Sequence, residues 1–292
     1  TGINALTVLE HGVPVGRSLG LPIFENTLTQ TWPESPEYEF RDSSYSDRGL
    51  AIYHGWLPIY AVAASFALNG VIPDEPAPKP TVRRNGEEMR RLTIAARIPS
   101  VVFGTLFLVA VFLAGREFYG NDAGWAALAA ATVSTTTISL ARQARYYSLT
   151  LTLCAFCALM MGLMMKRGRL RDFVLGGILF VLLFHTNMLA FAGACAVFGL
   201  LAPWFLVSQD RIGSKLAALG ATLAVGILPW VLVTGFMASA PNRPMARSLL
   251  EMSQVTGYLV ERLPFVLLAA ATLAWLLLGV RHFEERIPGR LV

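Results

Sequence analysis

From residue 98 onward the chain consists of long apolar windows separated by short tracts into which the charges are gathered. An unbroken helical window of roughly 20 residues matches the ~30 Å hydrocarbon core of a bilayer, and only elements that satisfy their own backbone hydrogen bonds survive there. Such windows fall at 98–115, 123–140, 148–165, 172–186, 188–207, 215–236 and 263–280. Only 15% of the residues are charged and the mean hydropathy is +0.53, whereas a soluble domain carries about 25% charged residues. The expected fold is an all-α membrane protein with about seven transmembrane helices. The 172–186 window is short and runs into the next through His185, Thr186 and Asn187, which predicts a tight hairpin. Residues 56–72 are apolar but marginal in length and carry Pro58 early, which predicts a juxtamembrane helix lying in the interface.

Lys and Arg in short loops set orientation, because such loops stay on the cytoplasmic side. Lys166, Arg167, Arg169 and Arg171 join the third and fourth windows, Arg211 and Lys215 join the fifth and sixth, and Arg281, Arg286 and Arg290 follow the last. These three tracts share a side. Residues 1–96 hold 8 Lys/Arg against 11 Asp/Glu, a net charge of −3, and the remainder hold 16 against 8, a net of +8. The acidic segment 1–96 is therefore expected as an extracytoplasmic loop, and 97–292 as the transmembrane helical domain. Dispersed among apolar spans, the +8 reflects topology rather than a nucleic-acid surface. The chain shows no internal repeat and no matched pair of broken helices in two halves, which disfavours a transporter built on inverted repeats. Cys154, Cys157 and Cys195 all fall inside apolar windows, so small-residue packing rather than a disulfide framework is expected of them. The Arg83 to Arg91 run reads as a solvated helix face.

Three tracts carry chemistry. Ala141-Arg142-Gln143-Ala144-Arg145-Tyr146-Tyr147-Ser148-Leu149 stands where the second window ends on the outer side. On a helical turn Arg142 and Arg145 share a face, with Tyr146 four residues after Arg142. Guanidinium forks match phosphate oxygens, and interfacial tyrosines tolerate both lipid and water, so a lipid phosphate suits this face. Plain interface anchoring is the alternative, weakened because arginine at span ends is favoured on the opposite side. Around Asp47, Arg48, Tyr53, His54 and Trp56, acid, base and aromatic rings mix as on a sugar-binding surface, or as an interfacial aromatic belt. His185 and Asn187 are polar residues at the end of an apolar hairpin, read either as substrate contacts or as turn caps.

The tracts Leu9-Glu10-His11-Gly12-Val13-Pro14, Tyr45-Ser46-Asp47-Arg48-Gly49, Tyr53-His54-Gly55-Trp56-Leu57, Arg97-Ile98-Pro99-Ser100-Val101-Val102-Phe103-Gly104, Gly115-Arg116-Glu117-Phe118-Tyr119-Gly120 and Arg142 to Leu149 together resemble GT-C-type membrane glycosyltransferases. The resemblance is to the protein O-mannosyltransferase and aminoarabinose-transferase kind, in its broad bacterial branch, and covers roughly residues 1–190. It implies an inner-membrane enzyme whose site faces the extracytoplasmic side. It implies inverting transfer of a sugar from a polyprenyl-phosphate-linked donor to an acceptor that is a protein, lipid or glycan, with no nucleic acid involved. Arg142, Arg145 and Tyr146 then hold the donor phosphate, and Arg48, Tyr53, His54, His185 and Asn187 contact substrate. Such families place an Asp, often followed by Glu, in the first outer loop as catalytic base. No Asp-Glu pair precedes Gly2, so the expectation is either a fragment that opens after the first span and this motif or an inactive protein, with Asp47 as the nearest stand-in base. No cofactor is expected, and no carboxylate cluster demands a divalent metal. A transporter or flippase of a lipid-linked or anionic substrate is the alternative function.

Overall fold

The structure, a computed structural model, describes residues 2–18, 21–22, 46, 48–52, 55–71, 86–208 and 211–236. All of them belong to the first of two compact units, Thr1–Ser239, and the second unit lies outside the described residues. They form nine helices and one two-stranded hairpin. In chain order these are α1 (Gly2–His11), β1 (Arg17–Ser18), β2 (Leu21–Pro22), α2 (Leu57–Leu68), α3 (Gly86–Tyr119), α4 (Asn121–Val133), α5 (Thr135–Ala141), α6 (Tyr147–Arg167), α7 (Leu170–Phe184), α8 (Met188–Ser208) and α9 (Ile212–Thr234). Among the described residues three helices are long and apolar enough to cross a membrane: Met89–Tyr119 within α3, then α6 and α9. The helical character expected from the sequence is present. The window at 263–280 and the basic tail after it lie outside the described residues.

The 123–140 window is two short helices rather than one span, α4 and α5, parted at Ser134. Ser134 is extended and its Oγ accepts from Thr137 N at 3.4 Å. A hydroxyl that caps a new helix competes with continuation of the old one, which is why the Ser134 to Thr137 run breaks a stretch that hydropathy joins. The other departures are of length. Helix α3 begins at Gly86, well before the apolar window, and is roughly 50 Å long. Helix α7 has 15 residues, roughly 22 Å, short of a hydrocarbon core. Pro58 does not interrupt α2; it occupies the first turn, where a missing N–H has no helical partner to lose.

Helices α3 and α6 pack antiparallel along their lengths. Ser100 and Phe103 face Arg145 and Thr152 at one end, where Thr152 Oγ1 donates to Phe103 O at 2.6 Å. At the other end Glu117 accepts from Lys166 Nζ at 3.1 Å and Arg167 Nη2 at 3.0 Å. Gly115 and Gly124 let α3 and α4 approach backbone to backbone: a Cβ on Gly115 would lie 2.9 Å from Gly124 Cα. Leu149, Leu153, Cys157, Met161, Phe180 and Leu183 form the core between α6 and α7, with Leu57, Phe103, Cys154 and Cys195 packed against it. All three cysteines are free.

A second apolar cluster ties the amino-terminal segment to α3 through Ala5, Leu6, Val8, Ile59, Val62, Phe66 and Ala95. Pro99 lies inside α3 and cannot donate to the carbonyl of Ala95. Ser65 Oγ of α2 donates there instead, at 2.6 Å, with Ser65 and Ala95 both buried. Arg91, in the charged run, closes the end of α2 by donating to the carbonyls of Asn69 and Gly70. The run is thus only in part a solvated face.

Candidate functional site

Helix α5 ends at Ala141, with Arg142 as its C-cap, and α6 starts at Tyr147 with Tyr146 as its N-cap. The residues between make a tight turn in which Arg145 N donates to Gln143 O at 2.8 Å. The tract does not present one helical face carrying Arg142, Arg145 and Tyr146. A turn breaks the periodicity that would align them. The guanidinium of Arg145 engages Tyr147 instead, donating to its hydroxyl at 3.3 Å and lying 6.0 Å from its ring centroid. The rings of Tyr146 and Tyr147 stack at a tilt, with centroids 4.5 Å apart. Both arginines are exposed, and neither has a carboxylate partner among the described residues. Burial raises the Tyr146 phenol above its ordinary value; a hydrogen bond with Tyr147 adds to the rise and the Arg145 charge opposes it. Tyr146 therefore stays a neutral donor. Ser148, in the first turn of α6, is buried and its Oγ has no partner.

His185 caps the end of α7, and its Nε2 lies 2.9 Å from Gly226 O on α9. A carbonyl only accepts, so Nε2 carries the proton and Nδ1 is the ring atom left for a ligand. Two features of α9 admit this contact. Pro229 cannot donate to Val225 O, which loosens the helix at that turn. Gly226 has no side chain to hold α7 away: a Cβ there would meet Val181 Cγ2 at 2.5 Å. Asn187 is a cap rather than a contact, since its Oδ1 accepts from Ala190 N at 3.1 Å and opens α8. Thr186 Oγ1 likewise donates back to Leu182 O at 2.8 Å.

The amino-terminal segment is threaded onto this corner. Leu57 N donates to His185 O at 2.9 Å, and Gly55 sits against the same residue so closely that no Cβ fits. Arg48 Nη1 donates to Val233 O at 2.9 Å, at the end of α9. Trp56 meets Trp230 edge-on, with centroids 6.1 Å apart, and Trp230 meets Phe184, His185 and Phe236 at 5.5, 6.0 and 5.6 Å. The structure therefore brings Arg48 and His185 to one aromatic corner. The arginine turn stands at the same end of α6 and α7, with Leu149, Leu183 and Leu57 sharing one apolar cluster. Asp47, Tyr53 and His54 lie outside the described residues. Among the described residues no group of three or more His, Cys, Asp and Glu side chains is placed to hold a metal ion.

Trp230 and Gly55 belong to this corner and are absent from the sequence-based set. Trp230 had one usable signal, an indole beside a proline near the end of an apolar window, which is where interfacial aromatics gather. Gly55 had none, because its role is a close approach to a residue far along the chain. No protein-family model, curated protein or solved structure matches the chain.

Proposed function

We propose that the protein is a glycosyltransferase of the membrane, moving a sugar from a polyprenyl-phosphate carrier to an acceptor on the extracytoplasmic side. The observation that carries this reading is the gathering of arginines with no carboxylate partner among the described residues, a histidine with a free Nδ1 and a wall of aromatic rings at one end of apolar helices. Cations there oppose a lipid phosphate, rings accept the apolar faces of a sugar, and helices accept the carrier's tail. The tracts that resemble GT-C-type enzymes contribute Arg48, Trp56, Arg142 and Arg145, while His185 and Trp230 lie outside them. The reading includes about seven spans, a large outer loop and a bacterial inner membrane. The Lys166, Arg169 and Arg211 tracts would then be cytoplasmic.

In the transfer step a carboxylate removes the proton from the acceptor hydroxyl or amine as that atom attacks the anomeric carbon. The bond from the anomeric carbon to the phosphate oxygen breaks, and the phosphate keeps the electron pair. Arg145 and Arg142 oppose that developing charge, so no acid need protonate the leaving group. Asp47, next to Arg48 in the chain, is the carboxylate assigned to the proton.

The test is transfer of labelled sugar from a polyprenyl-phosphate carrier by the full-length protein in proteoliposomes. Arg145→Ala is expected to abolish transfer while leaving the thermal midpoint within a few degrees of wild type. Undiminished transfer in that variant would refute the role of Arg145. Movement of intact labelled lipid between leaflets, without cleavage of the sugar–phosphate bond, would replace the enzyme with a flippase.

A further inference from the structure

Two tryptophans meet edge-on at the corner formed by the 48–57 segment, His185 and the end of α9, and they differ in one respect. The indole N–H of Trp56 donates to Ala51 O at 2.7 Å. That of Trp230 is fully shielded, in a residue only 7% exposed, and has no partner. An unmade hydrogen bond on a buried donor is costly, so buried indoles ordinarily find an acceptor. Among the described residues no acceptor lies in hydrogen-bonding range of Trp230 Nε1. Phe184 and Phe236 offer only rings, and His185 approaches edge-on with its Nε2 committed to Gly226 O.

We propose that Trp230 is a ligand-contacting residue, donating its indole N–H to an oxygen of an uncharged saccharide ring seated against Trp56, His185 and Phe236. This rests on the glycosyltransferase reading and adds where the sugar, as distinct from its phosphate, is held. Trp56, His185 and Phe236 are each half-buried, so the corner reaches the surface, and because the Trp230 N–H is shielded beneath it a ligand reaches that donor only when these side chains turn aside. A pyranose or furanose ring matches that composition. Its C–H faces pack on aromatic rings, its ring or hydroxyl oxygen fills the vacant acceptor position, and a hydroxyl donates to His185 Nδ1. A charged group is a poor match, because rings would strip its water without replacing it.

The experiment is indole ¹⁵N–¹H NMR on the full-length protein in nanodiscs, with the Trp230 resonance identified by its absence in Trp230→Phe. Wild type is titrated with methyl glycosides of hexoses, pentoses and amino sugars, with a short isoprenyl phosphate bearing a hexose, and with bare isoprenyl phosphate. The Trp230 signal is expected to move downfield with at least one saccharide and to stay in place with bare isoprenyl phosphate. Trp230→Phe keeps the ring and removes the donor, so it is expected to weaken binding of the matching saccharide about fivefold to tenfold and leave bare isoprenyl phosphate unchanged. A resonance that no saccharide moves, or that exchanges with water and is indifferent to sugar, overturns the proposal in wild type alone. Equal weakening toward bare carrier and saccharide in Trp230→Phe overturns it as well. If saccharides move the resonance but Arg145→Gln binds bare isoprenyl phosphate as well as wild type, the carrier-phosphate reading falls and the Trp230 contact stands.

Discussion

Replacing Gly55 by alanine tests the junction on which the candidate site depends. A Cβ at Gly55 would lie 1.9 Å from the carbonyl carbon of His185 and 2.0 Å from its oxygen, both backbone atoms that no rotamer change can move. Ordinary contact begins near 3.4 Å, so the segments must part by about 1.5 Å. The φ of Gly55 is outside the left-handed region, so alanine adds no conformational strain and only space is tested. A displacement of that size stretches the Leu57 N to His185 O bond, now 2.9 Å, beyond hydrogen-bonding range. It also pulls Trp56 from the edge of Trp230. One hydrogen bond at about 1 kcal/mol and one aromatic pair at about 1–1.5 kcal/mol give about 2–2.5 kcal/mol of lost docking. Hydrogen exchange at the Leu57 amide reads this directly. Protection is expected to fall by about 30- to 60-fold, since 1.4 kcal/mol is a factor of ten. Gly193→Ala is the control, because nothing lies within 4 Å of a Cβ there and alanine favours the helix. Unchanged Leu57 protection in a folded Gly55→Ala protein would show that the close approach does not hold the segment.

Ser65→Ala removes the donor that replaces the N–H missing at Pro99, leaving Ala95 O buried and unpaired. A loss of about 1–3 kcal/mol is expected in denaturant unfolding, and a neutral result would mean another donor serves that carbonyl. The raised titration of Tyr146 has a defined sign: its neutral phenol is the favoured form in the fold, so that preference holds below pH 10 and stability falls as pH rises through the elevated value. Tyrosinate absorbance should show a late component that Tyr146→Phe diminishes by one phenol, and loss of an ordinary component instead would contradict the burial of this ring.

Helix placement follows the sequence wherever an apolar run is bounded by charge. The 148–165, 188–207 and 215–236 windows lie within a few residues of α6, α8 and α9, because Arg145, Lys166 and Arg211 mark the points at which the apolar environment ends. Ser134 shows what hydropathy misses: four hydroxyl residues are apolar enough to sit in a window, yet their local hydrogen bonding starts a new helix. Within the site, Arg145 and His185 are legible as polar residues against an apolar background. Asn187 looks the same in sequence and proves to be a cap, since a polar residue after a short apolar run serves both roles equally well. Gly55 and Gly226 are illegible one at a time, because each acquires its meaning from a residue at least 41 positions away.

The amino-terminal segment is held to the helices by bonds to backbone carbonyls: Leu57 N and Arg48 Nη1 reach His185 O and Val233 O, and Ser65 Oγ reaches Ala95 O. Among the described residues no ion pair joins that segment to α3 through α9. The opposite end of α3 and α6 is different, closed by Glu117 between Lys166 and Arg167, all partly exposed. Neutral carbonyls carry no net charge for salt to screen, whereas an exposed triad loses much of its attraction as the Debye length falls from about 10 Å at 0.1 M to about 3 Å at 1 M. Raising salt over that range should therefore leave exchange at the Leu57 amide within twofold. Glu117→Gln should cost up to about 1 kcal/mol at low salt and close to nothing at high salt. The opposite pattern, with Leu57 deprotected by salt and the Glu117 variant indifferent to it, would mean that charge rather than carbonyl capture seats the segment. The proline at position 99 would then be incidental to docking instead of being the break that opens a carbonyl to it.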